Sequence, residues 1–187
     1  MKQSAIEKRF FFHANAVALA GHIVRPDDFF IPAVASSCLP VTGGMGKADW
    51  EGANFGDILS YGSASTSVTG DFIDKVKAVE YSHGNHGEND LRTETTATAR
   101  VTGLKVANGK RLLEIDSLEA TMSAISDRQN PTEFRTLTAN YQGIRVDGIG
   151  LKITTHCELF AQYSTKEKLV RVFEKDKDFR GRCADYF

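Results

Sequence analysis

The chain has 187 residues, 41% of them hydrophobic and 25% charged, with 16 Gly and 4 Pro. That composition suits one folded domain over 1–187 and excludes collagen-like, coiled-coil and low-complexity chains. The 23 basic and 24 acidic residues nearly cancel, which argues against a nucleic-acid partner that needs a basic field.

At the N-terminus, Glu7, Lys8 and Arg9 precede the apolar stretch, while His13 and Asn15 interrupt it, so no signal peptide is expected. No run reaches the roughly 18 apolar residues of a membrane span. Ser4 and Glu7 have capping-box spacing, but Ala14, Ala16, Ala18 and Ala20 alternate with His13, Asn15, Val17 and Leu19. Three successive Phe before that alternation favour a strand over Phe12–Ile23. Phe29–Leu39 reads as a second extended piece, bounded by Pro40. Gly43, Gly44, Gly46, Gly52 and Gly56 mark Val41–Gly62 as a loop, and Tyr61–Val68 and Ile73–Tyr81 as the next strands.

The strongest signals lie further along. Thr93–Val106 and Leu112–Ile125 flank Asn108-Gly109, a hairpin dipeptide in which both residues are expected at positive φ. Leu118, Ala120, Met122 and Ala124 share one face of the return strand, but Leu113 and Ile115 have the opposite parity. A bulge near Asp116-Ser117 would reconcile the two phases. Arg135–Val146 and Ile149–Phe160 form a second predicted hairpin around Asp147-Gly148, with Ile149, Leu151, Ile153, Cys157 and Leu159 on the buried face. Thr165 can cap a helix over Thr165–Phe179 in which Leu169, Val172 and Phe173 share a face. About seven or eight strands separated by turns predict an all-β fold, an antiparallel sandwich or flattened barrel with a C-terminal helix or tail.

Catalytic patterns are scarce. Thr42–Ala48 has part of a phosphate loop but lacks its first Gly and its Ser or Thr. There is no nucleophile elbow, and adjacent His156 and Cys157 fall on opposite faces of a strand. The protein is therefore not expected to be an enzyme or to carry a cofactor. The alternative is a metal-binding β domain or metal-dependent hydrolase using the loop 83–90. There His83, His86, Glu88 and Asp90, joined by His156, supply ligands suited to zinc, or to calcium through the carboxylates.

The cysteines Cys38, Cys157 and Cys183 are odd in number, so at least one stays free or bridges chains. The stripe Ala14, Ala16, Ala18 and Ala20 offers a self-association face, and near-zero net charge does little to keep copies apart. A homo-oligomeric shell, fibre or surface-layer component is the expected role.

Gly103-Leu104-Lys105-Val106, the return strand Leu118-Glu119-Ala120 and Tyr141-Gln142-Gly143-Ile144-Arg145-Val146-Asp147-Gly148 resemble β-rich bacterial cell-surface proteins of the choice-of-anchor type. The likeness lies in G-[IL]-x-V before a turn. It implies a secreted or cell-surface structural module and carries over no functional residues.

Metal analysis of chelator-free protein separates the two roles. The structural role predicts no retained zinc; near-stoichiometric zinc would mark the histidine set as a site.

Overall fold

Runs rich in Thr, Val and Ala, alternating in polarity, put most of the chain into antiparallel strands. The computed structural model describes residues 11–24, 28–75, 78, 91–127, 130, 132–154 and 162–184. Strands β1 (Asn15–Ile23) and β2 (Phe29–Cys38) form a separate hairpin. The large sheet is built from β3 (Gly44–Phe55), β4 (Leu59–Phe72), β5 (Arg92–Asn108) and β6 (Arg111–Asp127) in sequence order. One end of β6 then pairs with β7 (Glu133–Gln142). Its other end pairs with β8 (Arg145–Val146), which continues to β9 (Ile149–Gly150). Two short helices follow, α1 (Lys166–Lys175) and α2 (Lys177–Ala184). The all-β class with a C-terminal helical tail is thus observed, as two open layers. No described helix is long and apolar enough to cross a membrane.

The hairpin packs across one face of the large sheet, β2 over β3 and β4, β1 over β4 and β5. Ile31, Val34 and Ala35 of β2 meet Leu59, Tyr61, Ala64, Val101 and Leu104 in the main core. A second cluster joins Phe12, Ala16, Leu39 and Val68. Cutting Val68 to Ala would cost about 2 kcal/mol by lost transfer and cavity energy.

The apolar phase shift expected at Asp116-Ser117 is present, but it spans the sheet. Tyr61 and Ala64, Val101 and Leu104, and Ile115 and Leu118 all point to the core, so each strand changes parity. The β5–β6 register nevertheless runs unshifted from Arg92↔Asp127 to Asn108↔Arg111. Gly52, Gly62, Gly103, Asp116 and Gly143 fall in one row across β3 to the end of β7. An ordinary bulge sits on one strand and slips the register; here neighbouring strands bend together, and the ladder stays in step. Left-handed backbone at Gly103 (φ 59°) and Gly143 (φ 63°) makes the bend. Both G-[IL]-x-V segments therefore serve one purpose. Each crosses this crease and turns its next residue, Leu104 or Ile144, into the core. On β2, Ala35 makes the same kind of shift at φ 48°, leaving Val34 and Ala35 both buried.

Four expectations need correction. Val41–Gly62 is not a loop, since Gly44–Phe55 is a strand of 12 residues. Gly46 and Gly52 in it mark close backbone approach: a Cβ at Gly46 would lie 2.6 Å from the Cys38 carbonyl oxygen. Ile73–Tyr81 is not an extended strand where it is described, because the Ala78 N–H donates to the Asp74 carbonyl at 3.1 Å, a helical bond. The first hairpin turns on Gly109-Lys110, with Asn108 still paired to Arg111, so only Gly109 has positive φ. Asp147-Gly148 instead has both residues at positive φ, as expected. The strand after it stops at Gly150, and Ile149, Leu151 and Ile153 are exposed rather than core, while Cys157 and Leu159 lie outside the described residues. The C-terminal helix is capped by Thr165, whose Oγ1 accepts from the Lys168 N–H. It breaks at Asp176, whose carboxylate accepts from the Phe179 N–H and starts α2.

Two glycine variants test the crease. Gly109→Ala places a Cβ in open space and should cost only the left-handed penalty, about 1 kcal/mol. Gly143→Ala drives its Cβ into the Asp116 carboxylate as well, and should cost clearly more than Gly109→Ala in urea melts.

Candidate functional site

The two layers are unequal, and that inequality creates the main candidate surface. The hairpin ends over β5, whereas the inner sheet face continues onto β6 and β7. There the register pairs Leu118 with Tyr141, Ala120 with Ala139, and Ala124 with Phe134 across the two strands. A bulge on β7 at Arg135 keeps Phe134 in phase with this set. Leu118 still touches the main core, but Ala120 is exposed, and Met122, Phe134 and Tyr141 are 47%, 49% and 42% exposed. The described side chains of this face carry no charge. An apolar, uncharged sheet face continuous with the core is the kind of surface that marks an interface.

The opposite face is a polar lattice. Ser63, Ser65 and Ser67 of β4 align with Thr102, Arg100 and Thr98 of β5, then with Ser117, Glu119 and Thr121 of β6. Ser63 and Thr102 hydroxyls lie 2.6 Å apart, and those of Thr98 and Thr121 lie 3.0 Å apart. Arg100 and Glu119 approach to 3.9 Å beside an open hollow of about 400 Å³, which Ser117, Asn140, Gln142 and Ile153 also line. Its wide mouth and scattered donors suit bound water better than catalysis. A second hollow, about 590 Å³ and apolar, lies between α1 and α2 over Phe179 and Cys183.

Charge is organised around the crease. Arg145 donates to both carboxylate oxygens of Asp116, at 2.6 and 3.2 Å, and reaches Glu114 at 3.7 Å. Lys105 closes the group on Glu114 at 3.1 Å. Next to it, Asp147 accepts from the Arg111 guanidinium and the Leu112 N–H, which ties the Asp147-Gly148 turn to β6. The hydrogen bond from Arg145 lowers the Asp116 pKa, its charge adding to the effect. The hydrogen bond from Lys75 does the same for Asp71. The Arg145 pairs hold the backbone bend, Asp71–Lys75 sits at the far end of β4, and none of these groups is poised for proton transfer.

Of the sequence-derived site residues, His83, His86, Glu88, Asp90 and His156 lie outside the described residues. Among the described residues no group of three or more His, Cys, Asp or Glu is placed to hold a metal ion. The alanine stripe is largely inside the molecule. Ala16 is buried between Phe12, Leu39 and Val68; Ala14 and Ala18 are half-buried against the core, and Ala20 is exposed. A self-association face at Ala14, Ala16 and Ala18 is therefore corrected, since the large sheet of the same chain already covers them. The surface left over is the Leu118–Ala124 face. Its alternation is plain in the sequence, but its exposure depends on how many strands lie above it. Cys38 and Cys183 are free, the first exposed and the second buried.

The described residues define an open two-layer β protein, one apolar sheet face of which no described residue covers. Residues 10–186 match the model of DUF8256, a domain of unknown function, and the chain belongs to that family. No curated protein and no solved structure matches it.

The Asp116–Arg145 pair has a pH signature. A lowered carboxylate pKa contributes stability above the ordinary value of about 3.9, and that contribution is lost as pH falls through the lower folded value. Melting temperatures of the parent should therefore fall more steeply below about pH 4 than those of Asp116→Asn.

Proposed function

We propose that the protein is a non-enzymatic structural module that assembles with copies of itself, as a building unit of a shell, fibre or surface layer. One observation carries this reading: the inner face of β6 and β7 continues the core but has no second layer over it among the described residues. Water against Met122, Phe134 and Tyr141 is a standing free-energy cost, which association of two such faces removes at roughly 25 cal/mol per Å². Near-zero net charge leaves little long-range repulsion to oppose it. A secreted or cell-surface setting is the location that the resemblance to choice-of-anchor proteins suggests for such a module.

Light scattering across the micromolar range tests this. The parent should exceed its 20.6 kDa monomer mass as concentration rises. Met122→Glu, at an exposed position, should stay monomeric with stability changed by no more than about 0.5 kcal/mol. Ala16→Glu, at a buried one, should destabilise the monomer itself by about 3–5 kcal/mol. A parent that remains monomeric at every concentration would refute the proposal.

A further inference from the structure

The assembling unit has a shape that selects one way of pairing. Among the described residues each protomer is a step, a two-stranded layer above β3 to β5 and uncovered sheet at β6 and β7. We infer that two copies interlock by these steps as a closed two-fold dimer, the β6–β7 face of each filling the missing half-layer of the other. The inference rests on the self-assembly reading above.

Sterics choose the axis. Sheets that pack face to face keep their strands nearly aligned, about 10 Å apart. A two-fold axis running along the strands, midway between the facing sheets, sends the second hairpin beyond the far side of the first sheet. An axis across the strands would drive that hairpin into the first copy's large sheet. With the permitted axis, β6 of one copy lies over β7 of the other, and equal rows face each other.

The side chains then complement one another. Phe134 meets the small Ala124 of the second copy, Tyr141 meets its Leu118, and Ala120 meets its Ala139. Nothing charged is buried among the described side chains of the face. The interface also continues the packing between hairpin and sheet within each chain, because Leu118 and Ala97, the register partners of Tyr141 and Met122, already touch the cores. Two of the edge strands agree with this arrangement. In β1, which borders the bare face, residues Asn15–Ile23 include no Lys, Arg, Asp, Glu or Pro. The far-edge strand β3 carries Lys47, Asp49 and Glu51, the usual guard against strand addition. From Ser63–Ser67 on β4 across to Ser117–Thr121 on β6 the outer sheet face is polar, giving way beyond to buried Ser123 and Ile125. Head-to-tail stacking on that lattice would bury hydroxyls and charges against the apolar face.

Cross-linking tests the geometry separately from the assembly. Ala120→Cys and Ala139→Cys, each made singly in full-length Cys38→Ser protein with different isotope labels, are mixed and treated with a short bismaleimide. Linked peptides are then mapped by mass spectrometry, so that the native cysteines are told apart. The interlocked dimer predicts 120–139 links between chains in severalfold excess over 120–120 and 139–139 links. Ala124→Cys mixed with Phe134→Cys should give the same pattern and serves as the second pair if either first variant fails to fold. Oligomers by light scattering with no heterotypic excess would overturn the interlocked geometry and leave self-assembly standing. Monomers by light scattering would overturn both.

Discussion

Side chains on a strand alternate strictly, so a strand that runs from one part of a core to another keeps its apolar phase unless the backbone breaks it. This protein changes that phase at one row shared by its neighbouring long strands. The row runs through Gly52, Gly62, Gly103 and Asp116 to Gly143. Left-handed backbone at Gly103 and Gly143 absorbs the bend, and Arg145 grips the carboxylate between them. Because the strands shift together, hydrogen-bond register survives over 17-residue strands that would otherwise slip. The position of the core on both sides of the crease depends on that row.

The second consequence is the inequality of the layers. The hairpin is long enough to cover the sheet along the strands, and too narrow to cover it across them. Phe12, Ala16 and Val68 close one end, and Ile31, Val34 and Tyr61 fill the middle. Beyond β5 the same alternation continues with nothing above it among the described strands. Local folding rules are satisfied there, yet Met122, Phe134 and Tyr141 stay about half exposed, so hydrophobic free energy is left uncollected within the described chain. That is why the surface reads as a contact rather than as a cavity for chemistry.

The polar face gives the complementary half of the argument. Its rows of Ser and Thr hydroxyls, with Arg100 and Glu119 among them, make cross-strand contacts at Ser63–Thr102 and Thr98–Thr121. Under the proposed assembly, such a face disfavours stacking of a second apolar face against it. The two faces have different tasks because strand alternation separates Leu118, Ala120 and Met122 from Ser117, Glu119 and Thr121 on a single strand.

Much of this was legible before any coordinates. The strand at Asn15–Ile23, the long hairpin, the place of the Asp147-Gly148 turn, the phase shift at Asp116 and the Thr165 cap all follow from local chemistry. Alternation, turn dihedrals and capping bonds involve residues close in sequence, so their signals stay in the sequence. The glycines of β3 misled because Gly46 and Gly52 face backbone from other strands, and a loop glycine has the same composition. The alanine stripe and the Leu118–Ala124 face are likewise equivalent as patterns, both small, apolar and alternating. Only the tertiary structure buried the first under β4 and β5 and left the second bare, because burial is set by which strands of the fold lie opposite a face, and those partners are remote along the chain.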